Sequence, residues 1–517
     1  MSGGGTDGPG TGTSAPVPLW CAAAWLGDRG VVEGVRVVPA GDGTVVSLEA
    51  GVAAQAGDTL LPGVVFPAAA NAHSHAFHRV LRGRTHNGAP GSFWTWRESM
   101  YAAARQLTPE LYEELATAVF AEMVVTGWSS VAEFHYVHHR PDGSPYGAGT
   151  TPDSTVFDST VPDSMVFDSA AAAPAGSDAA GSADGPHAME LALARAAVRA
   201  GIRLTLLDTC YLSAGFGAPP GPDQLRFADA SAGDWLRRFT SLREVVAERF
   251  PASAVTVGAA LHSVRAVPPE ALTEIAGALP PEVPVHIHLS EQPAENEACL
   301  AATGLTPTGL LSSTGLLTSR LSAVHATHLT AADIDLLGGA EATVVMCPTT
   351  EADLADGIGP AGGLERAGAR IALGTDQHAV IDPWIEMRAL EHGERLATGG
   401  RPQFTPARLL AAGTGGGLRA QGRPPAGLEP GAVCDLVAID PRSVRTVGSD
   451  PEQLVYSATA QDVTDVVIGG VPAAHRGRHL RLGDPADLLA AVLGRMGGGR
   501  IGAGHSTDRS MNAGGIQ

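Results

Sequence analysis

Between Leu60 and Leu396 the chain alternates, eight times over, a short apolar run with a helical pattern or a long connection. The runs are Leu60–Ala70, Ser129–Phe134, Ile202–Leu207, Ala254–Leu261, Val283–Leu289, Leu321–Ala326, Ala342–Met346 and Arg370–Leu373. Most consist of Val, Ile, Leu and Ala with no polar alternation, as in strands buried on both faces of a parallel sheet. The connections carry helix signals. Thr108-Pro109-Glu110 supplies an N-cap, a proline at the first position and an acid in the first turn. Leu111, Leu115, Val119 and Met123 then recur every fourth residue until Gly127 stops the run. Eight such units predict an α/β fold, a (β/α)₈ TIM-like barrel, with its working residues at the C-terminal strand ends.

With 517 residues, 44% of them hydrophobic, the chain can bury one large domain plus a small one. Val31-Val32, Val35–Val38 and Thr44–Val46 read as short antiparallel strands. Gly431–Asp440 and Val463–Ile468 read likewise. Together they predict a small β-sandwich domain built from both chain ends, residues 17–60 with 423–482, around a barrel at 61–422. Residues 142–186 interrupt the barrel rhythm: Pro152-Asp-Ser-Thr-Val-Phe-Asp-Ser159 is nearly repeated as Pro162–Ser169, followed by an Ala/Gly/Ser/Asp tract. The expectation is a flexible insertion after the second strand. Residues 1–16 and 497–517 read as disordered tails, with no signal-peptide pattern at the start.

The formal net charge of −20 argues against nucleic acid or an anionic membrane as partner, and no apolar run reaches the length of a membrane span. The five cysteines are scattered without a CxxC pair, which fits a reduced, cytoplasmic protein. The expected assembly is a homodimer.

Chemistry gathers where the strands end. The first ends in His73-Ser74-His75, and residues two apart on a strand share a face. The fourth ends in His262, with Arg265 beyond it; the fifth in His286, His288 and Glu291; the sixth in His325; the eighth in Asp376. His73, His75, His288 and Asp376 offer three imidazoles and a carboxylate to one divalent metal ion, with Zn²⁺ the first choice and Fe²⁺ the alternative. His286 is the rival ligand; deeper in its strand, it reads as packing. Glu291 lies close enough to His288 to reach a water held there, and His325 can hydrogen-bond that water or a substrate. Phe93-Trp94-Thr95-Trp96-Arg97 reads as an aromatic lid in a loop, with Arg97 a candidate anion clamp.

This arrangement resembles the amidohydrolase superfamily. Its two-metal members bridge their ions with a carboxylated lysine, and all 34 Lys+Arg residues here are Arg, so the resemblance implies a single metal. His288-x-x-Glu291 resembles the deaminase branch, in which the Glu shuttles protons. Seven stretches resemble the formimidoylglutamate deiminases in particular: Asn71–Phe77, Phe93–Arg97, Ala132–His139, His262–Ala266, His286–Gln292, Thr350–Gly357 and Gly374–His378. That resemblance implies hydrolysis of an amidine to a formamide and ammonia in histidine degradation. Glu291, His325 and Asp376 would be catalytic, and Arg97, Tyr136, His262 and Arg265 would hold a small dicarboxylate. There are departures. His78, at a substrate-contact position, and Asp353 stand where that family usually has Gln and Asn, and the loop Asp208–Phe216 differs. Two rivals stay open: a deaminase of a heterocyclic base, which would present apolar ring contacts instead of two arginines, and a non-catalytic barrel, which should have lost its ligands.

Overall fold

The computed structural model describes residues 17–85, 93–147 and 184–496. Both predicted tails and nearly all of the predicted insertion lie outside these residues.

Among the described residues, sixteen strands form two sheets of eight. Strands β1 (Leu19–Trp25), β2 (Val31–Pro39), β3 (Val45–Glu49) and β4 (Thr59–Pro67) come from the first part of the chain. Next are β5 (Ala69–Ser74), β6 (Trp128–His135), β7 (Arg203–Cys210), β8 (Val255–Ser263), β9 (Val285–Leu289), β10 (Leu321–His325), β11 (Thr343–Met346) and β12 (Arg370–Leu373). The last are β13 (Leu436–Ile439), β14 (Val463–Ile468), β15 (Val471–His475) and β16 (Arg478–His479).

Strands β5 to β12 pair in chain order, every pair parallel, and make the barrel. All eight residues of β6 and all five of β9 and β10 are buried, which is why these strands read as unbroken apolar runs. The predicted helix after β5 forms as Pro109–Thr126: Thr108 accepts a hydrogen bond from Leu111 N at 3.2 Å, and Gly127 ends the helix in the left-handed region at φ 108°. Its Leu115, Val119 and Met123 are fully buried, each stabilising the fold by roughly 1.5–3 kcal/mol. The N-terminal mouth of the barrel is plugged by residues 412–420. A Cβ on Gly416 would lie 2.2 Å from Ile371 O, and one on Gly417 2.1 Å from Ala70 O, so only glycine lets this segment approach so closely.

The barrel closes between β12 and β5 at its C-terminal end. Thr375 N and Asp376 N each donate to His73 O at 3.0 Å, and His75 N donates to Asp376 O at 3.1 Å. Asn71 locks the seam: Nδ2 donates to Thr375 Oγ1 at 2.7 Å, and Oδ1 accepts from Thr375 N at 3.1 Å. The same short stretches therefore close the barrel and carry the histidines and the aspartate.

The other sheet runs β16-β15-β14-β13-β4-β1-β2-β3 and is built from both chain ends, as expected. It folds back on itself where Thr44 bridges Val433, enclosing a separate core that includes Leu19, Cys21, Val37, Leu61, Val65, Leu436 and Val467. Arg203 of β7 clamps it to the barrel through Asp435, with both nitrogen–oxygen contacts at 3.0 Å.

Two expectations are corrected. The run Leu60–Ala70 is not one strand but two: β4 pairs with β1 and β13, and only β5 belongs to the barrel. The small domain therefore extends to Pro67 rather than ending at 60. The apolar run hides the break because both strands are buried; Pro67, which lacks an N–H, stands at the crossing. The stretch Phe93–Arg97 is not loop but the start of the helix Phe93–Arg105. All five cysteines are free and buried, and among the described residues no helix is long and apolar enough to cross a membrane.

Candidate active site

At the C-terminal mouth, His73 and His75 converge on Asp376, and His288 meets His73. His73 Nε2 lies 3.2 Å and His75 Nε2 3.4 Å from Asp376 Oδ1, and His288 Nε2 lies 3.2 Å from His73 Nε2. Ligands bound tetrahedrally at ~2.0–2.1 Å stand roughly 3.3 Å apart, so these separations match one shared Zn²⁺-sized ion. The far ring nitrogens support the same reading. His75 Nδ1 is 2.8 Å from Phe134 O and His288 Nδ1 is 2.9 Å from His262 O. A carbonyl only accepts, so Nδ1 carries the proton and Nε2 keeps its lone pair for a cation. Burial holds all three imidazoles below their ordinary pKa, leaving them neutral. Burial alone would raise the Asp376 carboxyl, but the His73 hydrogen bond and nearby imidazoles hold it well below the carboxylate range. The donor set fits a divalent metal in the chemical form needed to bind it. His286 turns away and donates Nε2–H to Ala420 O at 2.7 Å, as its depth in the strand predicted.

The local backbone is specialised. Ser290, His325, Ala326, Asp376 and His378 all have φ between 41° and 69°, the left-handed region that non-glycine residues rarely adopt and that gathers at functional sites. Beneath the His-x-His turn, the buried Glu133 carboxylate accepts from Ser74 Oγ at 2.6 Å and from Ala76 N at 2.5 Å, fixing the turn.

Above the donors lies a cleft with about 650 Å³ of open space. Every candidate residue from the sequence reaches its wall except His73, which sits beneath. Glu291 is only 9% exposed, and burial raises its carboxyl against the pull of His325 and Arg265. His325 Nε2 stands 3.9 Å from Glu291 Oε1. Burial would lower the His325 imidazole, but Glu291, Glu351 and Asp376 carry it up to about 10. Arg97 and Arg265 bring two guanidiniums to the cleft. Arg97 Nε donates to Tyr101 Oη at 2.6 Å, and Arg265 Nε stands 3.5 Å from buried Glu295. His78 Nε2 and Tyr136 Oη are 2.9 Å apart, so the histidine at the departing position is tied to a second candidate contact. Asp353, the other departure, accepts from Gln377 Nε2 at 2.7 Å and is not among the lining residues.

Sequence reasoning missed Met100, Tyr101, Tyr211, Phe227 and Leu354 in the wall. Trp96, Met100 and Tyr101 share the helix with Arg97, at the spacing of one helical face, a signal hidden by reading that stretch as a loop.

A second cluster, His135, His138 and Glu190, is also rich in metal-type donors. It is a hydrogen-bonded ion network instead. His138 Nδ1 is 2.7 Å from Glu190 Oε1, a hydrogen-bond distance too short for two ligands of one ion, and the Arg238 guanidinium already stands 3.1 Å from that nitrogen.

The amidohydrolase family profile matches residues 59–473. A formimidoylglutamate deiminase from Pseudomonas aeruginosa is 32% identical over 482 residues, covering 90% of this chain and 97% of that enzyme. An 8-oxoguanine deaminase from the same species is 27% identical over 416 residues, 79% of this chain and 81% of that enzyme. Among solved structures, an amidohydrolase from Brucella melitensis superposes with a TM-score of 0.79 at 31% identity, covering 93% of this chain and 99% of its own. An adenosine deaminase from Xanthomonas campestris with bound zinc shares the fold, with a TM-score of 0.71 at 22% identity, over 93% and 98% of the two chains. The barrel fold is thus a shared architecture, and the chain belongs to the amidohydrolase family, hydrolases of carbon–nitrogen bonds.

Proposed function

We propose that the chain hydrolyses N-formimidoyl-L-glutamate to N-formyl-L-glutamate and ammonia, in histidine degradation in the cytoplasm. The observation that carries this reading is two guanidiniums, Arg97 and Arg265, in the wall of a cleft floored by metal-type donors, in a protein of net charge −20. Each guanidinium can fork onto one carboxylate, so two of them suit a dicarboxylate. A neutral heterocyclic base carries no carboxylate for them to hold. The near full-length likeness to the curated deiminase supports the same substrate.

His73, His75, His288 and Asp376 would hold one divalent ion, with zinc preferred for its N/O donor set. When bound, the ion lowers the pKa of water toward neutrality and polarises the C=N group. The protein groups do the rest. Glu291 takes a proton from the attacking water as the new C–O bond forms at the formimidoyl carbon, with Asp376 assisting. His325 presents Nε2–H to the charge that develops. Glu291 then gives that proton to the terminal nitrogen, the proton of the new hydroxyl follows it as C=O forms, the C–N bond breaks, and ammonia leaves. Tyr136, His262 and His78 steady the substrate between the two arginines, and rigid strand ends supply the orientation.

The test is ammonia release from formimidoyl-glutamate by purified protein before and after chelation. The expected result is activity that vanishes with the metal and returns with one equivalent of Zn²⁺ per chain, and that His73→Ala cannot regain. Full activity in metal-free protein would sink the reading.

A further inference from the structure

One buried carboxylate against the reacting face is unused by that scheme. Glu351 lies in the short helix Pro348–Leu354 after β11 and is 5% exposed. Its Oε1 accepts from Cys347 N at 2.9 Å, which fixes it in place, and stands 3.5 Å from His325 Nδ1. His325 is therefore faced by a carboxylate at each ring nitrogen: Glu291 on the cleft side and Glu351 on the far side. His325 Nδ1 is buried with no other hydrogen-bond partner.

We propose that Glu351 is a positioning residue for His325: it takes the Nδ1–H, orients the ring, and leaves Nε2–H for the reacting group. The chemistry is that of a carboxylate behind an imidazole, which orients the ring and stabilises positive charge on it, so that both ring nitrogens carry a proton. This rests on the reaction proposed above.

The surroundings of Glu351 make the idea unusually testable. Behind it lies a second cleft on the outer flank of the barrel, walled by Glu351, Met346, Pro348, Ile358, Leu390 and Leu396, with about 780 Å³ of open space. Ile358 at 48% and Leu396 at 81% exposure open it to solvent. Truncating Glu351 should join this cleft to the far side of His325, so that a small carboxylate from solution can take its place.

Metal-loaded Glu351→Ala is expected to lose about a hundredfold in kcat with KM within about threefold and metal content unchanged. Formate should restore kcat saturably in this variant and only inhibit wild type and Glu351→Gln, whose amide fills the space. Histidine-labelled ¹⁵N NMR at neutral pH should show His325 protonated at both ring nitrogens in wild type, with the Nδ1 resonance shifted by loss of its carboxylate partner in Glu351→Ala. This arm needs no substrate, so a wild type inert toward formimidoyl-glutamate would remove the proposed reaction while the role of Glu351 was still decided. Should Glu351→Ala not fold, Glu351→Gln carries the test: a fall in kcat of about tenfold or more at unchanged KM supports the proposal. Wild-type kcat in the folded variant, or an unchanged His325 Nδ1 resonance on truncation, overturns it.

Discussion

Removing Arg265 should do two separable things, because its guanidinium faces two carboxylates: one belonging to the protein and one to the proposed substrate. Losing a charged contact to the substrate carboxylate should cost about 2–5 kcal/mol of transition-state binding, about thirtyfold to several thousandfold in kcat/KM. The protein partner is Glu295, 2% exposed, with Oε1 at 3.5 Å from Arg265 Nε and Oε2 accepting from Glu291 N at 3.3 Å. Leaving it buried without its cation costs about 2–3 kcal/mol, the lower end for a buried pair because the contact is long and one hydrogen bond remains. At about 2.1 cal/mol/K of unfolding entropy per residue, a chain of 517 residues converts that into a Tm shift of about 2–3 °C. Arg97 has a different surrounding, against the Tyr101 ring at 5.2 Å, so Arg97→Met should lose comparable catalysis with Tm within about 1 °C. The double variant Arg265→Met/Glu295→Gln should regain Tm without regaining catalysis. Steady-state kinetics and calorimetry on the four proteins decide the matter. If the Glu295 change restored catalysis, Arg265 would serve to hold Glu295 and not substrate; if both arginine variants kept wild-type kcat/KM, the dicarboxylate reading would fall.

Glu291→Gln keeps the shape but cannot accept a proton, and should cost at least about a hundredfold in kcat with full metal content; near-normal turnover would assign the base to Asp376. His286, fully buried, is pushed down to about 3 by burial while it donates to Ala420 O. The unfolded ring binds a proton at about 6.5 and the folded one does not, so this group's contribution to stability is present above pH 6.5 and lost as pH falls toward 3, by up to about 1.4 kcal/mol per pH unit. His286→Leu should flatten the Tm-against-pH profile between pH 6.5 and 4.5, and an unchanged slope would refute the assignment. Residues 147 and 184 should tolerate direct joining, since a Cβ on Gly147 would already lie 2.7 Å from Gly185 Cα; deletion of 148–183 is expected to leave Tm within about 3 °C, and a collapse would show that the insertion packs on the barrel.

Much of the site was legible because its constraints are local. The separation of two between His73 and His75, and of three between His288 and Glu291, puts each pair at one strand end. Eight repeated strand–helix units then bring those ends to one face. Boundaries were less legible where burial removes alternation. Leu60–Ala70 is apolar throughout, so nothing in its pattern shows the chain leaving one sheet at Pro67 and entering another at Ala69. Phe93–Arg105 hid its helix because its sharpest signals are aromatic, and two of them, Trp96 and Tyr101, line the cleft. Partners far apart in sequence were invisible for a different reason. Nothing local announces that Glu351 faces His325, that Glu295 faces Arg265, or that Glu190 lies 2.7 Å from His138, because the packing of neighbouring strand–helix units sets those contacts.

The central claim is that two guanidiniums and one metal centre make this cleft a site for a linear amidine bearing two carboxylates. The most direct measurement is kcat/KM of the zinc-loaded protein on a panel: formimidoyl-glutamate, its analogues lacking one carboxylate or the other, guanine, 8-oxoguanine, cytosine and adenosine. The account predicts turnover of formimidoyl-glutamate with equimolar N-formyl-glutamate and ammonia, a loss of about thirtyfold or more for each missing carboxylate, and negligible release from the ring compounds. Faster release from any ring compound, or equal turnover of the one-carboxylate analogues, would contradict it.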